Sequence, residues 1–230
     1  MVGNMHPYQI EEKIKTRIII TAFVLSIALA RIFSLGAENL PIKIPWWIET
    51  PSVLGFFGLI IFSYNRWFWK TKFFQSLEWF YIPNLNGIWK AEILSSHNDF
   101  ASPIICNMNI RQTASHISLS LETSQSISSS ENAILTRVDK FNQFELIYNY
   151  VNKPKADAIS SMNIHHGTTW LQILDNSSKL DGEYYSGRGR QNFGRIVLKR
   201  SKRTWSNSMR NLVSQIILHK LIADKQNENQ

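Results

Sequence analysis

The chain carries two hydrophobic textures. From Ile18 to Leu35 the stretch IIITAFVLSIALARIFSL is apolar with Arg31 as its single charge. Coiled at about 1.5 Å per residue, it spans most of the roughly 30 Å hydrocarbon core of a bilayer. A shorter apolar run, SVLGFFGLIIFSY (Ser52 to Tyr64), lies between Trp46 and Trp47 on one side and Trp67 and Trp69 on the other. Tryptophan settles at membrane interfaces, so the pair predicts a two-helix transmembrane hairpin over residues 18–69. A cleaved signal peptide fits less well, because no small-residue cleavage site is evident and a second hydrophobic run follows.

From Pro83 onward the texture changes to short runs alternating with period two, broken by Ser, Asn, Gly and Pro. GIWKAEIL, IICNMNIRQ, SHISLSLETS, NAILTRV, FELIYNYV, AISSMNIHHGTTWLQIL, LDGEYYSG and GRIVLKR read as eight antiparallel strands. Ile117, Leu119 and Leu121 show the pattern most plainly, alternating with Ser118, Ser120 and Glu122. Eight strands with one apolar face close most economically on themselves. The expected fold is therefore an up-and-down antiparallel β-barrel of the lipocalin or avidin kind over residues 83–203, joined to the hairpin by a linker at 70–82. Gly167 interrupts the long sixth run and predicts a bend or bulge there. NGIWKAEI resembles the first strand of lipocalins and avidins, where the tryptophan of a Gly-x-Trp plugs the barrel floor; an inward Trp89 takes Ala91 and Ile93 with it by alternation, and packing is its expected role.

Past the barrel, Met209, Leu212, Val213, Ile216 and Ile217 recur at helical spacing. They predict an amphipathic helix within 204–230, ending in a polar tail. Its apolar face suits packing on the barrel, a subunit contact or a membrane interface.

Charge adds orientation and a class of partner. Lys13, Lys15 and Arg17 precede the first helix, and Arg66, Lys70 and Lys72 follow the second. The connection between them holds Glu38 and Glu49 against Lys43. The positive-inside rule then puts both termini, including the N-terminal residues 1–17, and the barrel in the cytoplasm, with the hairpin in the cell inner membrane. Arg31 falls toward the outer end of the first helix, where it snorkels or faces a neighbour. The formal net charge of +8 points to anionic partners. The lone Cys106 forms no internal disulfide.

The basic N-terminus, two membrane helices, aromatic linker and eight-stranded domain opening with LNGIWKAEI and closing with LDGEYYSGRGRQNFGRIVLKR resemble the two-transmembrane β-barrel effector family of CBASS, the cyclic-oligonucleotide-based antiphage signalling system of bacteria. The resemblance runs from about residue 15 to 203. It implies a non-enzymatic effector. A partner nucleotidyltransferase makes a cyclic dinucleotide, the barrel binds it, and the chains oligomerise so that their helices breach the inner membrane and the cell dies. It transfers no individual ligand contact to this chain.

The residues point the same way. A cyclic dinucleotide offers two phosphates and two flat bases, which call for guanidinium groups and aromatic faces. Arg188, Arg190, Tyr184 and Tyr185 supply both within one short stretch, and Arg111 is a further candidate. Tyr184 and Tyr185 alternate, so one faces the interior and the other the outside. The bland reading of SGRGRQNFG is a hairpin loop with solvated arginines, and RIVLKRSKR suits anionic lipid or water better than a ligand. His165 and His166, on opposite faces of a strand, are weaker candidates.

Catalysis is not expected. There is no G-x-S-x-G elbow, no P-loop, and no third ligand to make a metal site of the two histidines. No cofactor, metal or DNA or RNA polymer is expected. The alternative is a membrane-tethered lipocalin-like barrel that carries a lipid or small apolar molecule, and the lining of the cavity discriminates the two.

Overall fold

The computed structural model describes residues 4–38, 46–138, 143–160, 162–187 and 190–201. Two short strands, β1 (His6–Pro7) and β2 (Gln9–Ile10), lead directly into helix α1 (Glu12–Glu38). Helix α2 (Trp46–Arg66) returns along it. At 27 residues, α1 is about 40 Å long. Among the described residues it is the one helix long and apolar enough to cross a membrane, while the apolar part of α2 is the shorter Val53–Arg66.

Phe23 meets Phe57 and Phe33 meets Phe56 edge to face at 6.4 and 6.2 Å. Ala22, Ser26 and Ala30 form a buried stripe of small residues on α1, the kind that lets helix backbones approach. Ile20, Val24, Ile32, Leu54 and Leu59 point outward and stay exposed. Arg31 is exposed as well. An apolar surface of this extent needs a non-aqueous neighbour.

The linker holds a five-residue helix, α3 (Lys72–Ser76). Gln75 Nε2 donates to the carbonyls of Trp69 and Ile82, each at 2.8 Å, which folds the linker back on itself. Trp67, Phe68, Phe73 and Trp79 remain exposed around it, and Arg17 lies over the Trp79 ring at 5.4 Å.

Eight antiparallel strands follow: β3 (Gly87–Ser95), β4 (Ile104–Gln112), β5 (His116–Glu122), β6 (Ser126–Val138), β7 (Gln143–Pro154), β8 (His165–Leu174), β9 (Lys179–Ser186) and β10 (Phe193–Arg200). Each pairs with the next, β10 pairs with β3, and the sheet closes into the expected up-and-down barrel. Alternation decides what faces in. Trp89, Ala91 and Ile93 are buried on β3 while Lys90 and Glu92 are exposed, as anticipated.

Two features depart from the sequence reading. The sixth run does not bend at Gly167, because β8 begins only at His165 and the residues before it belong to a loop. Gly167 stands where it does because a Cβ would run into the Tyr150 side chain and the Tyr185 carbonyl. The bulge lies instead in β6, between Ser130 and Asn132.

The second departure is at the N-terminus. Strands β5 and β6 pair directly only where Ser120–Glu122 meets Ile127–Ser129. Beyond that they part, and β1 pairs with β5 while β2 pairs in parallel with β6. The N-terminal segment thus fills a seam in the wall. His6 Nε2 lies 2.7 Å from Ser130 Oγ, which also accepts from the Leu119 amide at 2.9 Å.

One end of the barrel is capped by Ile82, Leu85, Trp89 and Trp69, all inaccessible to solvent. Trp89 Nε1 donates to the Leu85 carbonyl at 2.9 Å, and the Arg200 guanidinium lies 4.6 Å from the Trp89 ring centre. Arg200 also donates to the carbonyls of Ser177, Asn86 and Asn84. Buried Gln112 accepts from the Leu85 amide and donates to Tyr8 Oη and the Pro83 carbonyl. Helix α2 joins the barrel at this floor, since Asn65 at its end accepts from the Ser115 amide and hydroxyl in the β4–β5 turn. The expected amphipathic helix within 204–230 lies outside the described residues.

Candidate ligand-binding site

The opposite end is open. A cavity of about 340 Å³ enters the barrel there, within the range of roughly 300–1,000 Å³ usual for small-molecule sites. Period-two alternation sets its lining level by level. On β7 the inward series runs Phe144, Leu146, Tyr148, Tyr150, Asn152, from apolar at the floor to polar at the mouth. On β9 it runs Leu180, Gly182, Tyr184, Ser186. Floor, tyrosine belt and polar rim follow from the same arithmetic on neighbouring strands.

The belt consists of Tyr148, Tyr150 and Tyr184, with Thr169, Met108 and Ile196 between them. The Tyr148 and Tyr150 ring centres are 6.3 Å apart. Tyr184 Oη donates to Ser95 Oγ at 2.8 Å. Burial pushes the Tyr150 phenol up to about 12 and raises Tyr184 too, so both hydroxyls stay protonated donors at neutral pH. Nearby Arg190 pulls each of them slightly back. The rim carries Ser95, Ser126, Ser128, Asn152, His165, Ser186 and Arg190. Burial holds His165 below its ordinary imidazole value, against the opposing pull of the Asn163 carbonyl.

The sequence candidates separate cleanly. Tyr184 lines the cavity and Arg190 stands at its mouth, without a carboxylate partner among the described residues. Arg188 lies outside the described residues. Tyr185 faces away and packs on Trp170, with ring centres 5.2 Å apart. Arg111 is exposed on the outer wall, since its neighbours Ile110 and Gln112 take the inward positions. His165 joins the rim, while His166 lies outside against Glu131 at 3.3 Å. The basic run therefore divides: Arg190 at the mouth, Arg195 clamped to Asp181 outside at 3.0 Å, and Arg200 in the floor.

Sequence reading passed over Tyr148, Tyr150, Asn152 and the serines of β6. The signal for the two tyrosines was present in FELIYNYV, whose inward positions follow from Phe144, whereas Asn152 and the serines of β6 fall outside the eight runs.

A barrel plugged at one end and open at the other onto an aromatic belt and a polar rim is a receptor for a small, partly polar molecule. Residues 80–200 match the family described as Cap15, cyclic dinucleotide receptor domain, which spans more than half of the chain. The chain belongs to that family, and the role the family describes is one of binding. No curated protein matches the chain.

Proposed function

We propose that the protein is a membrane-tethered effector of antiphage defence whose barrel takes up a cyclic dinucleotide made by a partner nucleotidyltransferase. The observation that carries this reading is Arg190, a guanidinium with no carboxylate partner among the described residues, at the mouth of a tyrosine-walled cavity in a Cap15 receptor domain. A guanidinium holds a phosphate in bidentate fashion, and tyrosine faces stack on bases. Arg190 and Tyr184 are the proposed ligand contacts, joined by Tyr148 and Tyr150, with Arg188 as a second phosphate donor two residues away in sequence. Tyr185 and Arg111 belong to the outer wall. No cofactor enters this reading.

The hairpin α1–α2 crosses the inner membrane twice, with both termini and the barrel cytoplasmic. Lipid contacts its exposed apolar flank, and the aromatics of the linker sit at the headgroup level. Ligand binding drives assembly of several chains. The outward pairs Trp170–Tyr185 and Phe100–Phe193, exposed apolar rings beside the mouth, supply surface for it. Assembly then disrupts the membrane. The carrier alternative calls for an apolar lining throughout, whereas this rim holds Arg190, His165 and Asn152.

The test uses the full chain. In detergent micelles, calorimetry against a panel of cyclic dinucleotides should give saturable binding, and fatty acids should give none. In dye-loaded liposomes the same ligand should trigger release. Binding of fatty acids alone would replace the receptor reading with the carrier.

A further inference from the structure

One rim residue stands apart from its neighbours. Asn152 is only 4% exposed, and it occupies the inward position of β7 directly between Ser128 of β6 and His165 of β8. Ser128 Oγ donates to Asn152 Oδ1 at 2.8 Å. On the other side Asn152 Nδ2 donates to the Met162 thioether at 3.3 Å. A thioether only accepts, so the amide orientation is fixed: oxygen toward Ser128, nitrogen toward Met162.

A carboxamide carries two N–H donors and two acceptor lone pairs. Here one lone pair is used well, and one N–H rests on sulfur, the weakest acceptor among side chains. Burying an amide against such a partner is unfavourable until a better acceptor arrives. Met162 is held by the loop between β7 and β8 and by no strand, so it can yield its place. Ser128 Oγ, having donated its proton to Asn152, presents its own lone pairs to the cavity it also lines.

Donor, acceptor and second acceptor thus lie in a row above the tyrosine belt. We infer that Asn152 reads the edge of one base of the bound cyclic dinucleotide, and that this base is an adenine. Nδ2 donates to the adenine N7, the exocyclic amine donates to Oδ1, and Ser128 Oγ stands ready for its second hydrogen. This is the bidentate pairing that asparagine makes with adenine, and the same edge of guanine would set O6 against Oδ1. Tyr150, two residues back on the same face of β7, lies one level deeper toward the base plane. The inference rests on the cyclic dinucleotide reading and adds the identity of a base to it.

The experiment is calorimetry on the full chain in detergent micelles with cyclic di-AMP and cyclic di-GMP. The parent should prefer cyclic di-AMP by about tenfold or more. Asn152→Leu keeps the side-chain volume but removes donor and acceptor together, so it should weaken cyclic di-AMP and bring the di-AMP to di-GMP affinity ratio toward unity by about tenfold. The variant adds no charge, so attraction to the phosphates is the same for both ligands and cancels in the ratio. Should that variant fail to fold, Met162→Leu gives an independent reading, because freeing Nδ2 from the thioether should tighten cyclic di-AMP a few-fold and cyclic di-GMP less, since its O6 still faces Oδ1. A parent that prefers cyclic di-GMP, a ratio unmoved by Asn152→Leu, or no gain in Met162→Leu overturns the adenine assignment while leaving the receptor intact. A parent that binds neither these nor any other cyclic dinucleotide overturns the receptor reading and this one with it.

Discussion

Arg190 and Arg200 stand ten positions apart in one basic stretch and do opposite work at the two ends of the barrel. At the floor, Arg200 satisfies three carbonyls and covers the Trp89 ring, and Gln112 has partners on both its oxygen and its nitrogen. At the mouth, Arg190 has no acidic partner among the described residues, and Asn152 leans on a sulfur atom. A satisfied polar group holds a structure together, and an under-satisfied one waits for something. Charge alone does not tell the two apart; the hydrogen-bond partners do.

The largest effect that sharpens this contrast belongs to the floor. Arg200→Ala strands the carbonyls of Ser177, Asn86 and Asn84, at a cost of about 3 kcal/mol, or roughly 6–12 °C in melting temperature for a chain of this size. Ligand affinity measured well below the melting point should stay within about twofold of the parent. A large loss of affinity in the fully folded variant would merge the two ends into one functional unit.

Next comes the mouth. Arg190→Glu removes a charge-assisted contact and adds repulsion, so cyclic dinucleotide affinity should fall about a hundredfold while the melting temperature holds. Lys199→Glu, the same charge change on the exposed outer face of β10, is the control and should bind like the parent. Equal binding by all three proteins would mean that Arg190 only decorates the hairpin.

The smallest effect is a pH dependence. Burial holds His165 below the ordinary imidazole value of 6.5, with Arg190 and His166 adding to the depression and the Asn163 carbonyl opposing it. Its folded value is thus lower than its unfolded one. Above pH 6.5 the neutral ring contributes its full stability; as pH falls, the unfolded chain takes up the proton first and stability declines until the folded value is passed. An anionic ligand favours the protonated ring, so affinity should rise a few-fold over the same window. His165→Asn should flatten both trends. Unaltered slopes in melting temperature and in Kd would remove His165 from the rim chemistry.

Much of the barrel was legible because burial on one face writes period-two alternation into every strand. The shared face of Trp89, Ala91 and Ile93 could be read for the same reason, as could the opposite faces of Tyr184 and Tyr185, while the floor position of Trp89 came from the Gly-x-Trp likeness to lipocalins and avidins. Alternation applied to IICNMNIRQ would also have turned Arg111 outward, but its charge drew more notice than its register. Gly167 was misread because a glycine in a strand has two causes, a bend or a close neighbour, and the neighbour is Tyr150 on another strand. Asn152 fell just beyond the end of a strand as read, and its significance lies in two partners 24 and 10 residues away. Strands of two residues, such as HP and QI, are too short to carry any period.

Those two strands set an order on biogenesis. The seam they fill joins His6 to Ser130, 124 positions apart, so it closes only after most of the chain has been made. By then the segment immediately following them, α1, has long since left the ribosome. Until β5 and β6 arrive, β1 and β2 have nothing to pair with; until β1 and β2 dock, the lower halves of β5 and β6 present bare edges. Non-local closure of this kind is slow and leaves unpaired edges exposed while it waits. A barrel expressed from residue 83 would keep those edges for good. The segment from His6 to Ile10 supplies the staves that make the cask tight.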